Sequence, residues 1–186
     1  MQKQLSGTAM PRAVPAPCRA HIRSSGRQRI VQVKAAVQVG DKAPDFSLPD
    51  QNGKNIKLSS FQGLFGKPVV LYFYPADNSS GCTKQANAFK TSAGAFSKAG
   101  AVVLGVSKDD VDSHVEFRSK LDLPFSLLAD EGGKVRKEWG IPKDFLGLLD
   151  GRQTYVIDKS GVVKAIHNNQ FDPESHVGEA LAALGA

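Results

Sequence analysis

Acidic residues are absent from the first 40 positions of this 186-residue chain, a stretch that carries seven of its 24 lysines and arginines. The remainder holds 17 basic and 18 acidic residues, so the formal charge of +6 belongs to the N-terminal segment alone. Nucleic-acid binding, which needs basic residues clustered on a folded face, is therefore not expected. That N-terminal segment has no apolar run long enough for the ~18 residues of a membrane span or the ~7–15 residues of a secretory signal core. Cysteine is nearly missing too: Cys18 lies in the basic segment, which leaves Cys82 alone beyond it. A single thiol closes no intrachain disulfide and builds no cysteine-based metal site. His114, His167 and His176 form neither a His-x-x-x-His nor a His-Glu pair. They read as surface or internally satisfied histidines, and no metal or cofactor is expected.

The acid-free segment, rich in Ala, Arg, Gln, Val and Pro, reads as an organellar transit peptide over residues 1–36, with processing near Lys34, Ala35 and Ala36. The alternative is a basic tail kept in the cytosol. Residues 37–186 then form one domain, long enough for a real core.

Within that domain residues 69–74, Val69, Val70, Leu71, Tyr72, Phe73 and Tyr74, are continuously apolar or aromatic. That pattern predicts a strand buried on both faces of a parallel or mixed sheet. Pro75 stops the ladder because it has no N–H, and 76–81 is a turn-rich loop. Cys82 stands where the next helix begins. It shares a stripe with Ala86, Phe89, Ala93 and Phe96, so one helix is predicted through Phe96, with a stop at Gly100. First-turn N–H groups are unpaired and favour a thiolate over a thiol, so Cys82 is a candidate nucleophile.

Phe46 to Leu58 alternate around a turn at Asp50, Gln51, Asn52 and Gly53 and predict an edge hairpin, followed by a helical turn at 59–63. Residues 102–106 predict a second parallel strand reached through the Cys82 helix as crossover. Asp109 and Asp110 cap a helix over 111–121 whose apolar positions are Val111, Val115, Phe117 and Leu121. A strand at 125–129, a short helix at 134–139, and a loop with exposed-looking apolar residues at 141–149 follow. Strands at 153–158 and 162–167 form an antiparallel hairpin. A last helix starts at Asp172 and Pro173 and ends at Gly185. The order predicts an α/β, thioredoxin-like fold: a central mixed sheet flanked by helices, with an N-terminal hairpin.

The run Tyr72, Phe73, Tyr74 and Pro75, then Asp77, Ser79, Gly81, Cys82, Thr83, Lys84, Gln85 and Ala86, resembles the peroxidatic-cysteine motif of peroxiredoxins, in particular the plant and algal peroxiredoxin Q branch. The family pattern Pro-x-x-x-Thr/Ser-x-x-Cys is met by Pro75, Ser79 and Cys82. The segment from Gly151 and Arg152 to Asp158 resembles the family's arginine strand. The likeness runs from about Val39 to the C-terminus. It implies a peroxidase in which the Cys82 thiolate attacks hydrogen peroxide or an alkyl hydroperoxide and becomes a sulfenic acid. Ser79 would hydrogen-bond thiolate and peroxide, Pro75 would shield the site from water, and Arg152 would stabilise the thiolate and orient the peroxide.

The resemblance also implies a monomer in the chloroplast, stromal or thylakoid-associated, although the arginine-rich leader would suit a mitochondrion as well. One departure stands out. The commonest peroxiredoxin Q sequences carry a resolving cysteine five residues after the first, where this chain has Asn87, and Ser80 replaces a usual proline. Five helical residues rise about 7.5 Å, beyond the ~7 Å reach of a disulfide, so the two-cysteine form must unwind a turn. Here the sulfenic acid needs an outside thiol: thioredoxin, glutaredoxin with glutathione, or a cysteine of a partner protein. A peroxide sensor or redox relay without efficient turnover is the alternative function. A thioredoxin-type reductase would need a second cysteine near Cys82, which Thr83, Lys84 and Gln85 exclude.

Overall fold

The computed structural model describes residues 36–144 and 146–186. The proposed transit peptide, Ala36 aside, lies outside the described residues, as does Cys18. From Val37 the chain is built into the domain: its side chain is buried, and its N–H donates to the Trp139 carbonyl at 3.2 Å.

A five-stranded mixed sheet forms the centre. In chain order the long strands are β3 (Val69–Phe73), β4 (Val102–Ser107), β5 (Ser126–Ala129), β8 (Gln153–Ile157) and β9 (Val163–Asn168). Their spatial order is β5-β4-β3-β8-β9, with β3, β4 and β5 parallel and β8 antiparallel to both neighbours. The predicted edge hairpin is a separate two-stranded sheet of β1 (Ser47–Pro49) and β2 (Asn55–Lys57). A 3-10 turn, Leu58–Phe61, follows it.

Because strand side chains alternate faces, β3 feeds two cores. Val69, Leu71 and Phe73 pack with Phe46, Leu58, Trp139 and Tyr155 on one side. Val70, Tyr72 and Tyr74 pack with Cys82, Phe89, Phe96, Phe117 and Val156 on the other. Double coverage explains why every residue of β3 is buried. Gly105 on β4 is required by this packing: a Cβ there would lie 2.7 Å from the Tyr72 hydroxyl and 2.8 Å from Leu127 Cδ2.

Helices α1 (Ser80–Thr91), α2 (Ala93–Lys98), α3 (Val111–Leu121), α4 (Lys134–Glu138) and α5 (Ser175–Leu184) complete the fold. The single helix expected through Phe96 is broken at Ser92, where φ/ψ of −92°/5° interrupts it. The Thr91 hydroxyl donates back to the Asn87 carbonyl at 2.9 Å, a bond that bends helices. Ala93 is consequently only half-buried, whereas Ala86, Phe89 and Phe96 keep the core stripe.

On α3 the expected apolar Val115 is 45% exposed and His114 is buried in its stead. The last helix starts at Ser175, yet the Asp172 carboxylate still accepts its first-turn N–H at 3.2 Å. The 141–149 loop contains a small antiparallel pair, β6 (Lys143–Asp144) with β7 (Leu149–Asp150), that carries exposed Leu146 and Leu148. Among the described residues no helix is long and apolar enough to cross a membrane.

Candidate active site

The ends of β3 and β8 set the site. Antiparallel register pairs Phe73 with Gln153, which places Tyr74 and Pro75 beside Gly151 and Arg152. Arg152, Thr154 and Val156 share the face on which α1 packs. A thiol after β3 and a guanidinium before β8 therefore meet although 70 residues separate them.

Ser79 is the N-cap of α1, and its Oγ accepts the Cys82 N–H at 3.3 Å. A hydroxyl accepting in this way keeps its own proton for a second partner. Cys82 lies in the first turn, a free thiol only 1% exposed. Arg152, 3% exposed, points Nη2 at Cys82 Sγ across 3.5 Å and donates from Nη1 to Gln85 Oε1. Arg152 Nε and Gln85 Nε2 are buried without partners. These are spare donors beside the sulfur, and an oxygen-rich ligand can use them. Pro75 is half-buried at the rim. All four residues singled out in the sequence thus fall in one place.

The polypeptide on either side is held by a residue that the sequence reading missed. Arg136, on α4, donates from Nη1 to the Gly151 carbonyl at 2.7 Å and from Nη2 to the Tyr74 carbonyl at 2.5 Å. These are the residues immediately before Arg152 and Pro75. Its own backbone N–H and that of Val135 are taken by Asp130, at 2.8 and 3.0 Å, and its guanidinium lies 5.7 Å from the Phe73 ring centre. Burial draws Arg136 below the ordinary arginine value, while Asp150 and Asp130 push the other way. In the sequence it sits among Lys134 and Lys137 and looks like part of a solvated face; only the spacing of Val135 and Trp139 hints that this helix has an inner side.

Tyr72 packs in the same core cluster as Cys82, stacked on Phe89 at 4.6 Å between ring centres. Its hydroxyl is buried without a partner. Burial, then the charges of Cys82 and Asp77, raise Tyr72 far above the usual tyrosine value, against a lowering by Arg152, so it stays a neutral phenol. Asn87 is exposed on α1, one turn beyond the buried sulfur. Of the histidines, His176 has both ring nitrogens bonded, to Thr154 Oγ1 at 2.8 Å and the Asn169 carbonyl at 2.9 Å. His167 bonds Ser175 Oγ at 2.9 Å, and His114 pairs with Asp77 and leaves Nε2 unbonded.

Chemically, the arrangement is a sulfur nucleophile at a helix N-terminus with a fixed cation beside it and polar donors to spare, shut away from bulk water.

The chain is similar to known proteins in sequence and in structure. Residues 39–166 match the AhpC/TSA family. The chain is 56% identical over 179 residues to a chloroplastic peroxiredoxin Q of Oryza sativa subsp. japonica, covering 96% of this chain and 80% of that one. It is 59% identical over 152 residues to a chloroplastic peroxiredoxin Q of Arabidopsis thaliana, covering 82% and 69%. Among solved structures, the peroxidoxin BcpB of Mycobacterium tuberculosis superimposes with a TM-score of 0.72 at 37% identity over 79% of this chain and 96% of that one. A peroxiredoxin Q of Xanthomonas campestris does so with a TM-score of 0.69 at 29% identity, over 75% and 89%.

Proposed function

The chain belongs to the AhpC/TSA family, in its peroxiredoxin Q branch, and on that premise we propose that its thiol-dependent peroxidase activity is carried by Cys82 with Arg152, Ser79 and Pro75 in support. The observation that carries the assignment is the 3.5 Å approach of the Arg152 guanidinium to a sulfur seated in a Ser79-capped first turn.

The Cys82 thiolate attacks one peroxide oxygen; the O–O bond breaks, and the second oxygen leaves with its electron pair and takes a proton to become water or an alcohol. Cys82 is left as a sulfenic acid, oxidised by two electrons. Arg152 and the first-turn amides stabilise negative charge as it moves from sulfur to the leaving oxygen, in a pocket dry enough for that interaction to be strong. The free proton of Ser79 Oγ is a donor for the bound peroxide. Pro75, half-buried at the rim, limits water.

Regeneration needs two thiols from outside, because the position of a resolving cysteine is Asn87. The first condenses with the sulfenic acid to a mixed disulfide and releases water; the second displaces Cys82 as thiolate. A thioredoxin-type dithiol supplies both from one molecule, and glutaredoxin with glutathione would supply them singly. We assign the chain to the chloroplast with its plant relatives and read it as a monomer, which sedimentation would test. The test of the site is peroxide consumption by the full chain with thioredoxin and thioredoxin reductase, beside Cys82→Ser. Complete loss in the variant is expected; retained turnover would move the reaction elsewhere.

A further inference from the structure

In the loop between β3 and the catalytic turn, the start at Tyr74 is held by Arg136 and Val106, and Asp77 and Asn78 are held mainly from α3. Asp77 is buried, and its Oδ1 accepts from the Tyr74 hydroxyl at 2.7 Å. Its Oδ2 accepts from Ser113 Oγ at 2.8 Å and pairs with His114 Nδ1 at 2.7 Å. The Asp77 N–H donates to Asp109 Oδ2 at 2.9 Å, and Lys120 Nζ donates to Asn78 Oδ1 at 3.1 Å. Apart from the Tyr74 bond, each of these ties at Asp77 and Asn78 comes from α3 or the turn that leads into it. His114 is wholly buried, so this is an ion-pair-capable contact out of water, whose disruption would strand the surviving partner.

The hold from α3 ends at Asn78. Asn78 has φ +58°, a left-handed conformation uncommon outside glycine but tolerated by asparagine. Ser79 and Ser80 are exposed. The catalytic turn beyond them is tied within α1 by the long 3.3 Å Ser79 cap and the 2.9 Å bond from the Thr83 N–H to the Ser79 carbonyl, and across to β8 by the 3.5 Å Arg152 contact. Chain held from α3 and chain held by its own helix thus meet at Asn78 and Ser79. An external thiol must reach a sulfur that is 1% exposed and lies against Arg152, so the catalytic turn has to swing out before the mixed disulfide can form.

We propose that the Asp77–His114 pair is a clamp that fixes the Asn78–Ser79 hinge, and thereby sets how readily the first turn of α1 opens to hand oxidised Cys82 to the reductant. His114 and Asp77 are positioning residues: they act through the hinge and touch neither peroxide nor thiol. The proposal rests on Cys82 being the reacting sulfur. A tight clamp favours the closed arrangement in which Arg152 meets the peroxide, and a loose one favours thiol access, so loosening moves two rates in opposite directions.

The full chain is tested as His114→Ala, as His114→Asn, whose amide N–H can replace the imidazole N–H toward Asp77, and as Lys120→Ala, an exposed change that spares the core. Peroxide oxidation of Cys82 is followed by stopped flow, and reduction of its sulfenic acid by dithiothreitol. His114→Ala is expected to slow oxidation at least fivefold and to speed reduction at least threefold. Lys120→Ala should move both rates about twofold in the same senses, and His114→Asn should stay within twofold of the parent in both. Both rates falling together, or neither moving, overturns the clamp. Should His114→Ala not fold, Lys120→Ala decides. If the parent Cys82 itself does not react with peroxide, the active-site reading fails instead, and that result is seen before any variant is made.

Discussion

Replacing Arg152 with methionine keeps most of the volume of the side chain and deletes its charge. In the folded protein that charge lies 3.5 Å from Cys82 Sγ. A unit pair at such a separation is worth roughly 5 kcal/mol at an effective dielectric of ~20. Under the proposed mechanism only part of that acts on the charge that passes to the leaving oxygen, so the loss in rate is smaller than the whole. Removing one preorganised donor from a developing oxyanion costs about 10²–10³-fold elsewhere. Arg152→Met should accordingly slow Cys82 oxidation by ~10²–10³, or about 3–4 kcal/mol of barrier. Arg152→Lys should lose about tenfold, because one compact ammonium cannot both hold Gln85 and face the sulfur as the fork does.

The assay is rapid-quench exposure to hydrogen peroxide with the sulfenic acid trapped by dimedone and counted by mass, at several pH values. Thermal melting checks that the variants are folded. An Arg152→Met protein that melts like the parent and reacts within fivefold of its rate would refute the electrostatic account of the site.

Burial, assisted by the charges of His167 and Arg152 and opposed by the Asn169 carbonyl, lowers His176 from 6.5 to about 4. The unfolded chain thus binds that proton first, so the contribution of His176 to stability is whole above pH ~6.5 and is lost as pH falls toward ~4. Denaturant unfolding at pH 7 and 4.5 should show an acid loss that is about 2–3 kcal/mol smaller in His176→Gln than in the parent, and equal losses would refute this. Gly105→Ala drives a methyl against the Tyr72 ring and should destabilise by about 1–3 kcal/mol in urea titration, with an unchanged melting curve as the contrary result. Asn87→Cys should give a disulfide between residues 82 and 87 after peroxide treatment, formed with loss of the first turns of α1; two unlinked cysteines in the mass map would show that the turn does not open far enough.

What could be read from the chain was local. A continuously apolar run, a proline and a turn-rich loop mark β3 and the start of α1 within a dozen residues, and the Ser79–Cys82 spacing is a capping distance visible by counting. The hairpin of β8 and β9 announces itself at Lys159, Ser160 and Gly161 in the same way. The contributions of Arg136, Gln85 and His114 depend on what stands opposite them. Each is polar and has a polar residue beside it (Lys137, Lys84 and Ser113), so nothing in its own stretch of sequence predicts burial, whereas its partners lie 62, 67 and 37 residues away. The break at Ser92 hinges on one hydroxyl turning back to a carbonyl, which hydrophobic periodicity cannot register. Val115 shows the reverse error: apolar and in phase, it faces solvent because a buried ion-pair-capable histidine took the inner position.

The antiparallel placement of β8 beside β3 has one more consequence, for the order in which reactivity is acquired. A growing or partly unfolded chain holds its sulfur long before it holds the strand that brings the guanidinium. Until the last hairpin docks, that sulfur stands without its cation. Under the proposed mechanism, competence toward peroxide is in this sense a certificate of completed folding, issued by the C-terminal third of the molecule to a residue in its first half.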